Sequence, residues 1–223
     1  MRLVILSDTH AQPLSKWVIP AGDVLIHAGD FCQGRTVPLD AVRTFNDEMA
    51  ALPHEHKLLV GGNHDWPLQL EAEAARAMLT AVTYLEDGGV TINGVRFYGS
   101  PWQPDYRFWA FNLPRRCLEL KAKWAAVPDD TDVLITHSPA FGILDWSRSS
   151  QENVGCELLR RRLETFSPKL HIFGHVHESR GHEENNGTIH VNAASVDIDY
   201  EPVNTPVVVD LDETTGTVTV VQI

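Results

Sequence analysis

Histidine, aspartate and asparagine side chains recur at five places along the chain. They are Asp8 and His10, Asp30, Asn63 and His64, His137, and His175 and His177. Carboxylate oxygens, an amide oxygen and imidazole nitrogens together suit Mn²⁺, Fe, Zn²⁺ or Mg²⁺, and the thiolates typical of structural zinc are missing from the set. This combination of side chains predicts a catalytic site that holds metal ions.

Each of the five groups follows a short apolar run that predicts a buried strand. The runs cover 3–6, 24–27, 57–60, 133–136 and 170–173. In open α/β sheets, ligands bind beyond the carboxyl ends of the strands. We therefore expect all five groups to emerge at the same edge of a sheet.

The spacing within the groups suggests how two ions are held. Asp8 and His10 are one residue apart, so at an extended strand end both side chains project to the same side and can hold one ion. His175 and His177 repeat this spacing. Asp30 is a lone carboxylate suited to bridging two cations about 3.5–4 Å apart. Asn63 would add a neutral oxygen, and His137 would complete the shell of the second ion.

Two such ions can polarise a phosphoryl group and lower the pKa of a bridging water from about 16 to about 7, which makes hydroxide the nucleophile. His64 directly follows Asn63, so when Asn63 faces a metal, His64 is expected to point elsewhere and approach the substrate. An imidazole can protonate a leaving oxygen near neutral pH, which makes His64 the candidate general acid. The adjacent Asp65 is expected to orient it.

The remaining pattern predicts how helices and strands alternate around these groups. Helices are predicted over 39–52, 68–79, 116–127 and 154–166, and Asn93-Gly94 predicts a hairpin turn between strands 90–92 and 95–98. The tail predicts strands at 188–191, 207–210 and 217–221 with no helix. Two mixed sheets sandwiched between helices accommodate this order.

Composition sets further bounds on the protein. No linker divides the 223 residues, so we expect one domain over 1–223, and 43% hydrophobic with 22% charged residues is ordinary globular usage. Three cysteines without CxxC spacing predict reduced thiols. No apolar stretch approaches the roughly 20 residues of a membrane span, and the first apolar run is too short for a signal peptide. These features predict a cytoplasmic protein without membrane contact.

The net charge of −12 is opposite to the basic surface expected of a protein that tracks long DNA or RNA. A nuclease is therefore disfavoured, and a small phosphorylated substrate is expected instead. The sequence does not indicate an oligomeric state.

Taken in order, the groups resemble the calcineurin-like metallophosphoesterases, whose pattern is DxH, GD, GNH[DE], H and GHxH. Every position of that pattern is filled here. The resemblance implies an α/β four-layer α/β/β/α sandwich of two mixed sheets flanked by helices, with His64 as the catalytic histidine. It also implies two divalent metal ions held by seven side chains: Asp8, His10 and His177 on the first, Asn63, His137 and His175 on the second, and Asp30 bridging them.

Within that family, the stretches 23–31, 137–145, 153–156 and 191–194 are similar to the small metallophosphoesterase-domain phosphodiesterases. This resemblance implies a phosphodiesterase acting on small diesters such as cyclic nucleotides, with Mn²⁺ as the first choice of metal and Fe, Zn²⁺ or Mg²⁺ as alternatives. Phe31-Cys32 after Asp30 departs from the GDxVDRG of the protein serine/threonine phosphatases. A phosphomonoesterase using the same site and a noncatalytic protein-binding scaffold remain the alternatives.

The segment 101–111 is the densest aromatic run in the chain. Its rings could stack on a nucleobase at the metal site, or cover the edge of the sandwich, and the second is expected for most of them. Trp66, directly after Asp65, is the better candidate for a wall of the pocket.

Overall fold

The computed structural model describes residues 1–223 as sixteen strands and five α-helices. In chain order the strands are β1 Arg2–Leu6, β2 Val24–His27, β3 His56–Leu59, β4 Thr83–Tyr84, β5 Gly88–Ile92, β6 Val95–Ser100, β7 Gln103–Pro104, β8 Asn112–Leu113, β9 Val133–Thr136, β10 Trp146–Ser147, β11 Glu152–Asn153, β12 Leu170–Phe173, β13 Gly181–Asn185, β14 Thr188–Asn192, β15 Val207–Leu211 and β16 Val218–Gln222. The helices are α1 Asp40–Ala50, α2 Trp66–Leu70, α3 Ala72–Met78, α4 Leu118–Ala125 and α5 Glu157–Thr165. None of them combines the length and apolar character needed to cross a membrane.

The fold is built from two six-stranded sheets. The first sheet has the order β16-β15-β1-β2-β3-β4, in which β1 to β4 are parallel and the two tail strands are antiparallel. The second has the order β13-β14-β12-β9-β6-β5, with four parallel central strands and an antiparallel strand at each edge. Both sheets are mixed, as predicted. Two short ribbons, β7–β8 and β10–β11, lie outside them.

Alternation along the strands places a hydrophobic layer on each face of the first sheet. In β1, Leu3 and Ile5 are fully buried in the core between the two sheets, whereas Val4 and Leu6 pack on the other face with helix residues such as Met49 of α1. Successive strand side chains point to opposite faces, so an apolar residue at every position predicts a strand covered on both sides. Fully burying each such side chain contributes about 1.5–3 kcal/mol.

The second sheet is covered in the same way. Val133 and Ile135 of β9 join the core between the sheets, and Leu134 packs outward with Trp124 of α4 and Leu159 of α5. The layers are therefore helix, sheet, sheet and helix, which confirms the predicted four-layer α/β/β/α sandwich.

Several elements differ from their sequence-based predictions, and the two-residue strands β4, β7, β8, β10 and β11 were not predicted. The single helix predicted over 68–79 was wrong, since α2 and α3 are separated at Glu71, whose backbone is non-helical at φ −123° and ψ 40°. The edge strand β13 was not predicted because its sequence, from Gly181 to Asn185, lacks an apolar residue. It joins β14 through Asn186 and Gly187, both with positive φ, in the conformation that hairpin turns favour.

Candidate metal centre

The five groups of polar side chains follow strands from two different sheets. Asp8, Asp30 and Asn63 follow β1, β2 and β3 of the first sheet, and His137 and His175 follow β9 and β12 of the second. The prediction that all five lie at one edge of a single sheet was wrong. The two sheets instead bring corresponding edges together, and a bridge between Ser7 and Ala194 joins their strand ends.

The backbone of four candidate ligands is left-handed. Asp8, His10, Asp30 and His175 have φ values of 58°, 47°, 58° and 69°. The extended strand end expected for Asp8 and His10 was therefore wrong, because the chain turns sharply there. Non-glycine residues with positive φ are uncommon and cluster at functional sites, where the surrounding packing holds them in place.

Three side chains form a first cluster at this turn: Asp8, His10 and His177. Nε2 of His177 lies 3.5 Å from Oδ1 of Asp8 and 3.2 Å from Nε2 of His10, and His10 Nε2 is 4.0 Å from the same carboxylate oxygen. All three ligand atoms lie within 4.8 Å of one another, close enough to hold one metal ion.

A second cluster contains Asp30, His137 and His175 within the same limit. Asn63 belongs beside it, because its Oδ1 is 3.1 Å from Nε2 of His137. Oδ2 of Asp30 lies 3.3 Å from His137 Nε2 and 3.8 Å from Nε2 of His10, which belongs to the first cluster. The Asp30 carboxylate therefore stands between the two clusters.

His175 and His177 belong to different clusters, although only one residue separates them. The prediction from spacing, that both would hold the same ion, was wrong. The left-handed backbone at His175 and the 3₁₀ turn that begins at His177 direct the two rings apart. The structure places His175 with Asp30 and His137, and it places His177 with Asp8 and His10.

The donor set fits bound cations because, when the imidazoles are neutral, lone pairs face one another without hydrogen atoms between them. Nδ1 of His137 donates to the carbonyl of Ala28 and Nδ1 of His177 donates to the carbonyl of Asp197, each at 2.9 Å. In the neutral imidazole the remaining Nε2 then carries only a lone pair. Those two lone pairs point at carboxylate, amide or imidazole acceptors, an arrangement that a divalent cation satisfies.

The electrostatics of the second cluster also favour the binding of a positive charge. Burial opposes the charged form of His137, but Asp30 outweighs it and raises the pKa of His137 to about 9. Burial likewise disfavours the Asp30 carboxylate, yet His137 and its neighbours hold the pKa of that carboxyl below its usual value. The site therefore keeps its carboxylate ionised and binds a compensating cation, either a proton or a metal ion.

Asp65 forms no hydrogen bond with the ring of His64, so the predicted orienting role was wrong. Its buried carboxylate accepts hydrogen bonds from the backbone N–H groups of Asp30, Gly62 and Cys32 at 2.8, 2.7 and 2.9 Å. It thereby ties the turn after β2 to the turn after β3, which carry Asp30 and Asn63.

The ring of His64 is held instead by the turn after β2. The backbone N–H of Gly34 donates to Nδ1 of His64 at 3.1 Å, which places the proton of the neutral imidazole on Nε2. That Nε2 lies 3.9 Å from Oδ2 of Asp30, and the backbone N–H of His64 donates to the other oxygen of Asp30 at 2.7 Å. Burial lowers the pKa of His64, which favours this neutral form. His64 therefore presents a hydrogen-bond donor beside the clusters.

A cavity of about 410 Å³ opens over both clusters. Tyr106 and Trp109 from the aromatic segment line it, together with Ile198 and Tyr200 from the tail. Trp66, proposed as a wall, does not line the cavity, because α2 turns its ring toward the core under the first sheet. Phe111 of the segment is buried and Trp102 is half-buried, whereas Phe108 is 88% exposed, so only part of the segment covers the sandwich as expected.

Trp109 and Tyr200 were not singled out by the sequence. The ring centroid of Trp109 lies 4.2 Å from that of His64, and Tyr200 packs edge-on at 4.7 Å from His10 and 5.5 Å from His177. Nothing local signals Tyr200, which lies on a turn far along the chain from His10. The density of aromatic residues was the one available signal for Trp109.

Comparisons with known proteins match residues 1–179 to a family described as calcineurin-like phosphoesterase. Human metallophosphoesterase domain-containing protein 1 is 40% identical over 236 residues, which covers 94% of this chain and 71% of the human protein. A UPF0046 protein of Caenorhabditis elegans is 42% identical over 208 residues, covering 87% of this chain and 69% of the nematode protein.

Solved structures share the fold at much lower identity. One crystal structure superposes with a TM-score of 0.70 and 17% identity, covering 99% of this chain and 98% of its own. The protein TT1561 of Thermus thermophilus superposes with a TM-score of 0.59 and 12% identity, again covering 99% and 98%. These similarities support the sandwich architecture.

Proposed function

The chain belongs to the calcineurin-like phosphoesterase family, and on that premise we propose that it is a phosphodiesterase acting on small diesters. The observation that carries the proposal is the position of Asp30 between two clusters of metal-ligating side chains. A carboxylate in this position can hold two ions about 3.5–4 Å apart, which is the spacing of two-metal hydrolytic sites.

The proposal assigns the ligands as follows. Asp8, His10 and His177 would hold the first ion, Asn63, His137 and His175 would hold the second, and Asp30 would contribute to both. Two bound divalent cations would supply Lewis acidity at the phosphoryl oxygens and an activated water at neutral pH. The oxygen and imidazole donors suit Mn²⁺, which we propose as the metal, and the same donors accept Fe, Zn²⁺ or Mg²⁺.

His64 acts on the leaving group in this proposal. As the bond between phosphorus and the leaving oxygen breaks, that oxygen takes the electron pair and accepts a hydrogen bond from Nε2–H of His64. The Gly34 amide occupies Nδ1, so we assign His64 a hydrogen bond from the neutral imidazole in place of the proton transfer expected of a general acid. Water in the open cavity then supplies the proton that completes the alcohol product.

The charges that line the cavity support a diester over a monoester. Asp105, Glu152 and Glu178 line it together with Arg107 and Arg115. Arg115 is already paired with Glu157 at 2.7 Å. A phosphomonoester carries about −1.5 to −2 charges at neutral pH, whereas a diester carries one. The acidic side chains therefore repel a monoester more strongly, and they also disfavour long nucleic acid.

Cyclic nucleotides are the substrates we propose within this class. The cavity offers Tyr106, Ile198 and Tyr200 as apolar and aromatic wall residues above the metal ligands, which suits a planar base. We place this activity in the cytoplasm, a proposal supported by the three unpaired cysteines, which suit a reducing compartment.

The test is hydrolysis of bis(4-nitrophenyl) phosphate beside 4-nitrophenyl phosphate by metal-stripped protein with Mn²⁺ added back. We expect metal-dependent cleavage that is faster on the diester, and then turnover of 3′,5′-cyclic nucleotides. A preference for the monoester would contradict the proposal and indicate a phosphomonoesterase instead. No turnover with any of the four metals would favour a noncatalytic scaffold.

A further inference from the structure

The aromatic segment that lines the cavity is anchored next to His64. The backbone N–H of Ala110 donates to the carbonyl of Asn63 at 3.1 Å, and the N–H of Phe111 donates to Oε1 of Gln69 at 2.8 Å. Ala110 and Phe111 are buried, whereas Phe108 is 88% exposed. Trp109 therefore lies at the point where the segment passes from the core to the surface.

This anchoring places the indole of Trp109 on the imidazole of His64. The ring centroids are 4.2 Å apart and the planes are inclined by 33°. The guanidinium carbon of Arg35 lies 4.6 Å from the centroid of the same indole, and Nη2 of Arg35 donates to the carbonyl of Arg107. Arg35, from the turn after β2, thus packs on the indole of Trp109 and also binds the backbone of the aromatic segment.

The same turn holds the other side of His64 through the N–H of Gly34. Contact on the ring face from Trp109 and a hydrogen bond at Nδ1 restrict both side-chain dihedrals of His64. The Trp109 contact is on the ring face and the Gly34 hydrogen bond is at Nδ1, so neither contact takes up Nε2. A side chain that is packed in this way presents its free nitrogen in one direction only.

We propose that Trp109, supported by Arg35, is a positioning residue that keeps Nε2–H of His64 directed at the leaving oxygen. The inference rests on the proposed function, in which His64 assists departure of the leaving group. Trp109 acts through His64 and does not serve as a stacking platform for the substrate.

Two substitutions at Trp109 separate these roles. One hydrogen-bond donor aimed at charge that develops in the transition state contributes about 10²–10³-fold, so partial loss of orientation in Trp109→Ala is expected to lower kcat on diphenyl phosphate by about 10–100-fold. On bis(4-nitrophenyl) phosphate, whose leaving group needs little assistance, kcat should fall by less than about threefold. KM should stay within about twofold on both, and Trp109→Phe, which keeps a ring, should restore most of the lost activity. Phe108→Ala, the exposed neighbour, is the matched control and should behave as the wild type.

The double variant His64→Ala/Trp109→Ala gives the sharpest comparison. A residue that acts only through His64 costs nothing further once that imidazole is gone, so the double variant should match His64→Ala. An additional loss in the double variant, or a rise in KM with equal loss on both substrates, would show that Trp109 contacts the substrate and overturn the proposal.

A spectroscopic measurement keeps the inference separate from the activity. Long-range ¹H–¹⁵N spectra of the Zn²⁺-loaded protein should show His64 as the Nε2–H tautomer in the wild type and in Phe108→Ala. Trp109→Ala should show averaging between tautomers, because the unpacked ring turns away from the Gly34 N–H that otherwise fixes the proton on Nε2. An unchanged His64 signal in Trp109→Ala refutes the positioning role, whereas absent turnover in the wild type refutes the proposed function and leaves this readout intact.

Discussion

The carboxylate of Asp65 accepts a hydrogen bond from the backbone N–H of Asp30 at 2.8 Å. Asp65 also accepts from Gly62 and Cys32, so one buried side chain fastens two of the turns that carry candidate ligands. The residue beside the candidate catalytic histidine therefore supports the metal centre through the backbone.

Asp65→Asn should lower the free energy of unfolding by about 1–3 kcal/mol, because the new NH₂ group must face at least one backbone donor. The same change should reduce the affinity for Mn²⁺. Urea unfolding and metal titration measure both effects. Asp212→Asn, at an exposed carboxylate that also accepts two backbone N–H groups, is the control and should change stability by less than about 0.5 kcal/mol. Equal effects of the two changes would contradict the role of Asp65 in holding the two turns together.

Asp30→Ala should reduce the bound metal below two ions per chain and abolish turnover, because it removes the carboxylate between the clusters. Elemental analysis of the purified protein and the bis(4-nitrophenyl) phosphate assay measure these outcomes. Glu152→Gln changes a carboxylate that lines the cavity outside both clusters, and it should keep both ions. Retention of two tightly bound ions by Asp30→Ala would show that Asp30 does not bridge them.

His64→Ala should keep both metal ions and lose about 10²–10³-fold in kcat on substrates with poor leaving groups. The loss should shrink as the leaving group improves, which a series of substituted diaryl phosphates measures. Full activity on diphenyl phosphate would remove His64 from the mechanism. Loss of one metal ion would make His64 a ligand instead.

Gly174→Ala should disturb the first cluster, because a Cβ at this position would overlap Oδ2 of Asp8 and the side chain of Ser7. Overpacking of this kind costs about 1–3 kcal/mol, and here it also displaces a ligand. We expect lower thermal stability together with weaker metal binding. Gly88→Ala, where the nearest atom would be 3.8 Å away, is the control and should leave metal binding unchanged. Normal metal affinity in Gly174→Ala would contradict the close approach of Gly174 to the carboxylate of Asp8.

Metal-stripped protein should lose stability as the pH rises from about 6.5 to about 9. The pKa of His137 is raised to about 9 by Asp30 against the opposing effect of burial, from a usual value of 6.5. A raised pKa contributes stability that is fully present below the unfolded value and is lost as the pH passes the folded value. Urea unfolding at pH 6, 7.5 and 9 tests this, and saturating Mn²⁺ should reduce the dependence by replacing the proton. A free energy of unfolding that does not change with pH in the absence of metal would contradict the coupling of His137 to Asp30.

The chemistry of the site was predictable from the sequence because it depends on local features. Each candidate ligand group follows an apolar strand, and residue type alone identifies oxygen and imidazole donors. Strands such as Val24–His27 and Val133–Thr136 were predicted with their observed bounds, since a short run dominated by apolar residues favours a strand that is buried on both faces.

The tertiary structure alone decided how these residues meet. Assigning His137 and His175 to a second sheet depends on strand pairing between segments far apart in the chain, which local pattern does not encode. The division of His175 from His177 depends on a left-handed backbone at a non-glycine residue, which only surrounding packing stabilises. The contact of Trp109 with His64 likewise requires the aromatic segment to be anchored across the turn after β3. Ligand identity is a property of single residues, whereas ligand geometry is a property of the packed sheets.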